Sequence, residues 1–433
     1  MPSGRLTSLS LILATTLALP VAAWADTVKG RVDGISFKAS TIRLIADDQA
    51  VTVMFAPETQ FVNAANIDDL APPDLIEVEF RPGKPATRVT KVIFNLPAGA
   101  EVSLDQLEAI RAGKTPYVLV DARPAKQFAT GHIPGSINIY PKDLPSRLDQ
   151  LPADKGTLVI FYCGGPTCPY TAQSIEIAQK AGYTNLKGFQ AGIPAWKKAD
   201  KPVVASPEWV AANLGPHHLV VDVRAKDEVA KGHVKGAVSL EPTELTTLTQ
   251  KLQAEKKPVR LPGVSDMMAP IVVYGDTDSG DDVLRAYAEM KKYKYKNAAI
   301  LKGGYREWAK LGLPTGSGPA TAEISYVKRL KPGAVPREEF ASLVASRGDA
   351  ILLDVREAKE VEGGMLPGAL HVSLDRLQVD PSVLPKDRPV LVYCANGIRA
   401  EMAYDFLKKS GYDKARFLDD TVVVGKDGRF HFE

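Results

Sequence analysis

Three short apolar runs in this chain end in Asp-x-Arg: VLVDAR (Val118 to Arg123), LVVDVR (Leu219 to Arg224) and ILLDVR (Ile351 to Arg356). Eleven residues after each Asp comes a turn: GHIPGS around His132, GHVKGA around His233 and GMLPGA around Met365. A second apolar run then reaches a loop that opens a helical stretch. These junctions read FYCGGPTCPY (Phe161 to Tyr170), VYGDTDSGDD (Val273 to Asp282) and VYCANGIRAE (Val392 to Glu401). A period of roughly 100 to 130 residues is too long for a solenoid unit and fits tandem domains. Strands alternating with helical stretches inside each copy predict an α/β fold, with a parallel sheet covered on both faces. In such sheets the reactive site lies beyond the carboxyl ends of the strands, which is where Cys163 and Cys394 fall.

The rest of the chain sets the boundaries. Residues 1–25 read as an export signal: Arg5 gives a weakly positive start, Leu9 to Leu19 an apolar stretch, and Ala23-Trp24-Ala25 a cleavage site. An apolar stretch of that length is too short to span a bilayer. The mature chain is therefore expected in a periplasm or outside the cell, with no membrane span. Residues 26–97 alternate apolar and polar side chains over five short runs (VKGRVDGIS, TIRLIAD, AVTVMFA, LIEVEFR, TRVTKVIF), predicting a small all-β domain similar to an OB fold. With no His or Cys there, that domain is expected to be structural or to bind a protein partner. Copy one is placed at residues 98–204, copy two at 205–316, a linker at 317–332 and copy three at 333–433. The helical run VSLDQLEAIRAG of copy one has Ser103 as its N-cap and ends at Gly113.

The formal charge is +3 with acidic and basic residues interspersed, so no basic stripe offers itself to nucleic acid. The chain has three cysteines, Cys163, Cys168 and Cys394, too few for a disulfide scaffold. All three lie in the two cysteine-bearing loops. A cysteine at a helix N-terminus faces unpaired N–H groups and the positive end of the helix dipole, both of which favour the nucleophilic thiolate.

The Asp-x-Arg strand end, the Gly-His-x-x-Gly turn and the cysteine loop together resemble the rhodanese family of sulfurtransferases. A further segment ends at Trp196 in copy one and at Trp308 in copy two, each 33 residues after the loop's first position (Cys163, Gly275). The resemblance covers about three-quarters of the chain. It implies three tandem rhodanese-like domains, one of them without a nucleophile, and no cofactor or metal. Cys394 is then the catalytic nucleophile, with Arg399, Asn396 and Gly397 holding an anionic donor such as thiosulfate. The four residues between Cys394 and Arg399 make a shorter loop than that of phosphatases with this fold, which favours sulfur transfer. The acceptor is expected to be a thiol or a sulfur carrier.

Copy one departs from that pattern, because Cys168 stands where copy three has Arg399. Cys163 is expected as a second sulfur-carrying site and Cys168 as its resolving or disulfide partner. A dithiol–disulfide redox role, or a purely binding scaffold, remain the alternatives. Copy two has Gly275 in the cysteine's place, followed by Asp276, Asp278, Asp281 and Asp282, whose negative charge should repel an anion. In the family Asp121, Asp222 and Asp354 with their following arginines are structural, and Met365 in place of a histidine argues against a histidine base.

Overall fold

The computed structural model describes residues 26–37, 39–81, 84–346 and 348–432. The expected export signal lies outside the described residues. Among them, no helix is long and apolar enough to cross a membrane.

The N-terminal module has six strands: β1 (Asp26–Ser36), β2 (Thr41–Ala46), β3 (Gln49–Met54), β4 (Gln60–Val62), β5 (Leu75–Phe80) and β6 (Arg88–Lys91). Their order is β3-β2-β1-β5-β6-β4, and all neighbours are antiparallel except β4 and β6. β4 spans three residues, too few for alternation to reveal it, which is why the sequence predicts five strands. The sheet curls, so that Ala86 N–H, just ahead of β6, donates to Met54 O at the end of β3 (2.8 Å). Period-two alternation puts Val32, Ile42, Leu44, Val53, Ile76, Val78 and Val89 inside that curl.

Each copy is a parallel sheet, as the alternation of elements requires. In copy two the strand order is Val204–Ala205, Ala298–Leu301, Ile271–Tyr274, Leu219–Asp222, Val238–Ser239. Copy three repeats it with Ala334–Val335, Ala415–Leu418, Val390–Tyr393, Ile351–Asp354, Leu370–His371. Copy one has the last four of these positions, and a single bridge from Glu101 to Gly188 stands for the first. At Gly188 a Cβ would meet Leu96 Cδ1 at 2.5 Å and Thr171 Cγ2 at 2.9 Å, so any larger residue there must displace those side chains.

The helix predicted from Ser103 runs over Leu104–Ala112, with Ser103 and Gln106 forming a reciprocal capping box and Gly113 closing it. Copies one and two share one apolar cluster that includes both Trp196 and Trp308. Each indole N–H donates to the carbonyl six residues on, Pro202 O (2.8 Å) and Pro314 O (3.0 Å), which explains their matching places. Val204 pairs with Ile300 of copy two, while its backbone also exchanges hydrogen bonds with His132 of copy one.

The N-terminal module packs on two copies at once. Arg43 of β2 pairs with Glu401 (2.9 Å) and Asp405 (2.5 Å) on the copy-three helix Ile398–Lys409, and Thr41 Oγ1 meets Met402 Sδ at 3.6 Å. On the copy-one side, Phe94 N–H donates to Pro166 O (3.0 Å) and Thr167 Oγ1 lies 3.4 Å from Asp74 Oδ1. These bonds hold the module against copies one and three of the same chain.

Candidate active site

The Asp-x-Arg strand ends build one device three times. Arg123 Nη2 bonds Asp121 Oδ2 (2.6 Å) and Gly131 O (2.8 Å). Arg224 does the same with Asp222 (2.7 Å) and Gly232 O (2.7 Å), and Arg356 with Asp354 (2.6 Å) and Gly364 O (2.8 Å). The tyrosine preceding each loop completes it: Tyr162, Tyr274 and Tyr393 accept from the N–H of Ile133, Val234 and Leu366. Every aspartate is fully buried, and its arginine satisfies it with charge-assisted bonds. These pairs fix the turn beside the loop and leave no carboxylate for proton transfer. His132 stays neutral and only weakly basic at neutral pH, because burial, opposed by Nδ1 bonding Phe128 O (2.9 Å), lowers it to about 4.

In copy three, the strand Val390–Tyr393 delivers Cys394 to the start of the helix Ile398–Lys409. The thiol is buried, and Sγ lies 3.8 Å from Asn396 Oδ1, which also accepts from Ile398 N–H (3.4 Å). Gly397 is the helix N-cap with φ +84°, and a Cβ there would press on Asp419 at 3.0 Å. That left-handed backbone and close approach admit glycine alone without strain. The four predicted residues Cys394, Asn396, Gly397 and Arg399 therefore share one turn.

Arg399, expected to hold an anionic donor, already has a carboxylate partner within the protein. It is 2 % exposed and grips Glu360 through Nη1–Oε2 (2.5 Å) and Nη2–Oε1 (2.9 Å). Burial would lower its guanidinium, but Glu360 and then the charge of an ionised Cys394 raise it overall. A guanidinium leaving water needs a carboxylate, and the helix that follows Asp354-x-Arg356 supplies one. Sequence reading missed Glu360; its signal was a carboxylate six residues after Asp354.

In copy one, Cys163 ends the strand Leu158–Tyr162 and is fully buried; Cys168 sits two residues before the helix Tyr170–Lys180 and is 5 % exposed. All three cysteines are free thiols. Cys163 Sγ points at carbonyl oxygens, Cys168 O (3.4 Å) and Gly165 O (3.9 Å), which accept from a thiol and repel a thiolate. Burial, followed by the bond to Cys168, pushes the Cys163 thiol up. Cys168 moves the other way: the Cys163 thiol beside it lowers it most, burial opposes this, and the N–H groups of Tyr170 and Gly164 add to the lowering. The strand-end position assigned to the nucleophile is thus the less acidic of the pair.

Copy two has no thiol. A Cβ on Gly275 would meet Asp282 Oδ2 at 2.7 Å, Asp278 is held by Gly303 N–H (2.9 Å), and Asp276 faces Arg224 (3.5 Å). Among the described residues no group of acidic, His or Cys side chains has the arrangement of a metal site.

Comparison with known proteins identifies the repeated domain. The model of the rhodanese-like domain matches residues 103–199, 206–311 and 337–423, more than half of the chain. A sulfurtransferase of Allochromatium vinosum is 32% identical over 90 residues, 21% of this chain and 84% of that protein. An HTH-type transcriptional regulator of Mycobacterium tuberculosis is 33% identical over 111 residues, 26% of this chain. The chain spans 47% of that regulator's length. A solved structure of thiosulfate sulfurtransferase from Pseudomonas aeruginosa aligns with a TM-score of 0.23 at 18% identity, covering 74% of this chain and 66% of that one.

Proposed function

Because the chain belongs to the rhodanese-like domain family, we propose that it is a sulfurtransferase with its principal nucleophile at Cys394. The observation that carries this reading is a buried cysteine at the N-terminus of a twelve-residue helix, within electrostatic reach of Arg399. The Cys394 thiolate attacks the outer sulfur of a donor such as thiosulfate. The new Sγ–S bond forms as the donor's S–S bond breaks, and the electron pair leaves on sulfite. The resulting persulfide passes its outer sulfur to an acceptor thiolate and returns Cys394 to the thiolate. Similarity to a sulfurtransferase supports the reaction class, and similarity to a putative sulfur carrier protein of Bacillus subtilis fits a carrier as acceptor. The copy-one loop is read as a second sulfur-carrying site and copy two as scaffold. We further propose export, with residues 1–25 removed.

Mass spectrometry of the protein after thiosulfate treatment tests the reading. A gain of about 32 Da on the Cys394 peptide is expected, and Cys394→Ser should lose most turnover. Near-full activity in that variant would remove copy three from the mechanism. A loss of about 2 Da across Cys163 and Cys168, with no gain elsewhere, would favour the redox alternative.

A further inference from the structure

The loop that bears Cys163 and Cys168 is covered from two sides. Its own domain covers one, where Ile193 N–H donates to Cys163 O (3.1 Å). The other is crossed by residues 92–97, the irregular segment that leads from β6 into copy one. Phe94 meets the middle of the loop: its N–H donates to Pro166 O (3.0 Å), and its carbonyl accepts from Gln190 Nε2. Beside it Thr167 Oγ1 reaches Asp74 Oδ1 of the N-terminal module (3.4 Å), and Asp74 is held in turn by Lys91 (2.9 Å). Leu96 packs into the copy-one core. Under this cover Thr167 is 2 %, Cys168 5 % and Cys163 0 % exposed. The matching stretch of copy three is left open, with Asn396 and Ile398 exposed.

We propose that residues 92–97 are a strap that shuts the copy-one cysteine loop, so that its thiols meet solutes only when the strap lifts from Pro166 and Gln190 and Asp74 releases Thr167. The proposal rests on the reading of that loop as a sulfur-carrying site. A cysteine that exchanges sulfur with a solute must be reached by it, so part of the cover has to move. The strand Leu158–Tyr162 is locked between two parallel neighbours, and the helix Tyr170–Lys180 is held by its buried face of Thr171, Ser174, Ile175 and Ala178. Residues 92–97 belong to no ladder or helix, and Ile93, Asn95 and Pro97 are exposed. A segment held by so few bonds is the part that opens first. The N-terminal module has a separate anchor on copy three through Arg43, Glu401 and Asp405, so the strap lifts while the module stays docked there. Copy one is therefore a latent site beside the open one of copy three.

The experiment is peptide-resolved labelling of the full chain with N-ethylmaleimide, with Cys394 in the same samples as internal reference. Two variants loosen the cover from outside the loop. Gln190→Leu keeps the volume and loses the bond to Phe94 O, and Asp74→Ala releases Thr167. Each should speed labelling of Cys163 and Cys168 together by roughly two- to tenfold, the weight of one hydrogen bond in the closed state, and the double variant by more, with Cys394 unchanged. Unchanged copy-one rates in both variants would overturn the proposal. So would an equal rise at Cys394, which marks a general loosening. Hydrogen exchange on the wild type gives a check that needs no variant: the amides of residues 92–97 should exchange well before those of Leu158–Tyr162, and equal protection of the two would also overturn it. Sulfur loading from thiosulfate is scored separately. Faster labelling with no sulfur gained on copy one would remove the sulfur-carrying reading of that loop and leave the strap standing.

Discussion

At the scale of single residues, the two cysteine loops differ in what surrounds the sulfur: carbonyl oxygens at Cys163, and Asn396 and Arg399 at Cys394. Cys394 has Arg399, but that arginine is committed to Glu360. An anionic donor must therefore compete with a carboxylate for the guanidinium. Glu360→Gln is expected to increase thiosulfate loading of Cys394 several-fold, and Arg399→Ala to reduce it tenfold or more, with a smaller loss for an uncharged donor. Initial rates against donor concentration check both; equal losses with charged and uncharged donors would contradict the assigned role. His132 yields a prediction of a different kind. Burial lowers it to about 4 from an ordinary value of 6.5. Between those pH values the unfolded chain binds the extra proton. The contribution of neutral His132 is thus complete above about pH 6.5 and is lost as pH falls toward 4. The wild type should lose more Tm between pH 7 and pH 5 than His132→Gln does.

At the scale of elements, each strand-to-helix junction is held by the buried Asp–Arg pair and the tyrosine that precedes the loop. The junction therefore survives in copy two although its thiol does not. Restoring the thiol should not restore the chemistry. A side chain at Gly275 meets Asp282, and a sulfur there would face acidic neighbours that raise a thiol and repel an anion. Gly275→Cys in a background lacking Cys163 and Cys394 is expected to show no turnover with thiosulfate; robust turnover would show that the nucleophile alone was missing.

At the scale of the whole molecule, the N-terminal sheet contacts both cysteine-bearing copies, copy three through β2 and copy one through Asp74 and Phe94. Arg43 carries the copy-three side, paired with Asp33 of its own module (2.6 Å) and with Glu401 and Asp405 across the contact. Burial lowers its guanidinium, and Glu401, Asp405 and Asp33 more than offset this. Arg43→Ala takes the cation from Asp33 and Asp405 and leaves Glu401 only Lys331 (2.6 Å), and is expected to cost on the order of 1–3 kcal/mol, read as a fall in Tm or a loss of unfolding cooperativity. An unchanged melting curve would mean that the module is held by its apolar contacts alone.

What the sequence determined by itself was the repeat. Strand period, helix caps and the spacing of Asp-x-Arg, Gly-x-x-x-Gly and the cysteine loops are local signals, and local signals fix the three parallel sheets and the turn that holds Cys394, Asn396, Gly397 and Arg399. Period-two alternation likewise marked the N-terminal sheet, missing only the three-residue β4. The tertiary structure alone decided which charges meet. Glu360 turns Arg399 inward across 39 residues, and Asp74 and Phe94 close a loop more than 70 residues away. It also decided the order of acidity within the Cys163–Cys168 pair, where carbonyls crowd one sulfur and N–H groups serve the other. Spacing along a chain fixes neighbours on a helix or strand; the field at a sulfur is a sum over groups that only folding brings within a few ångströms.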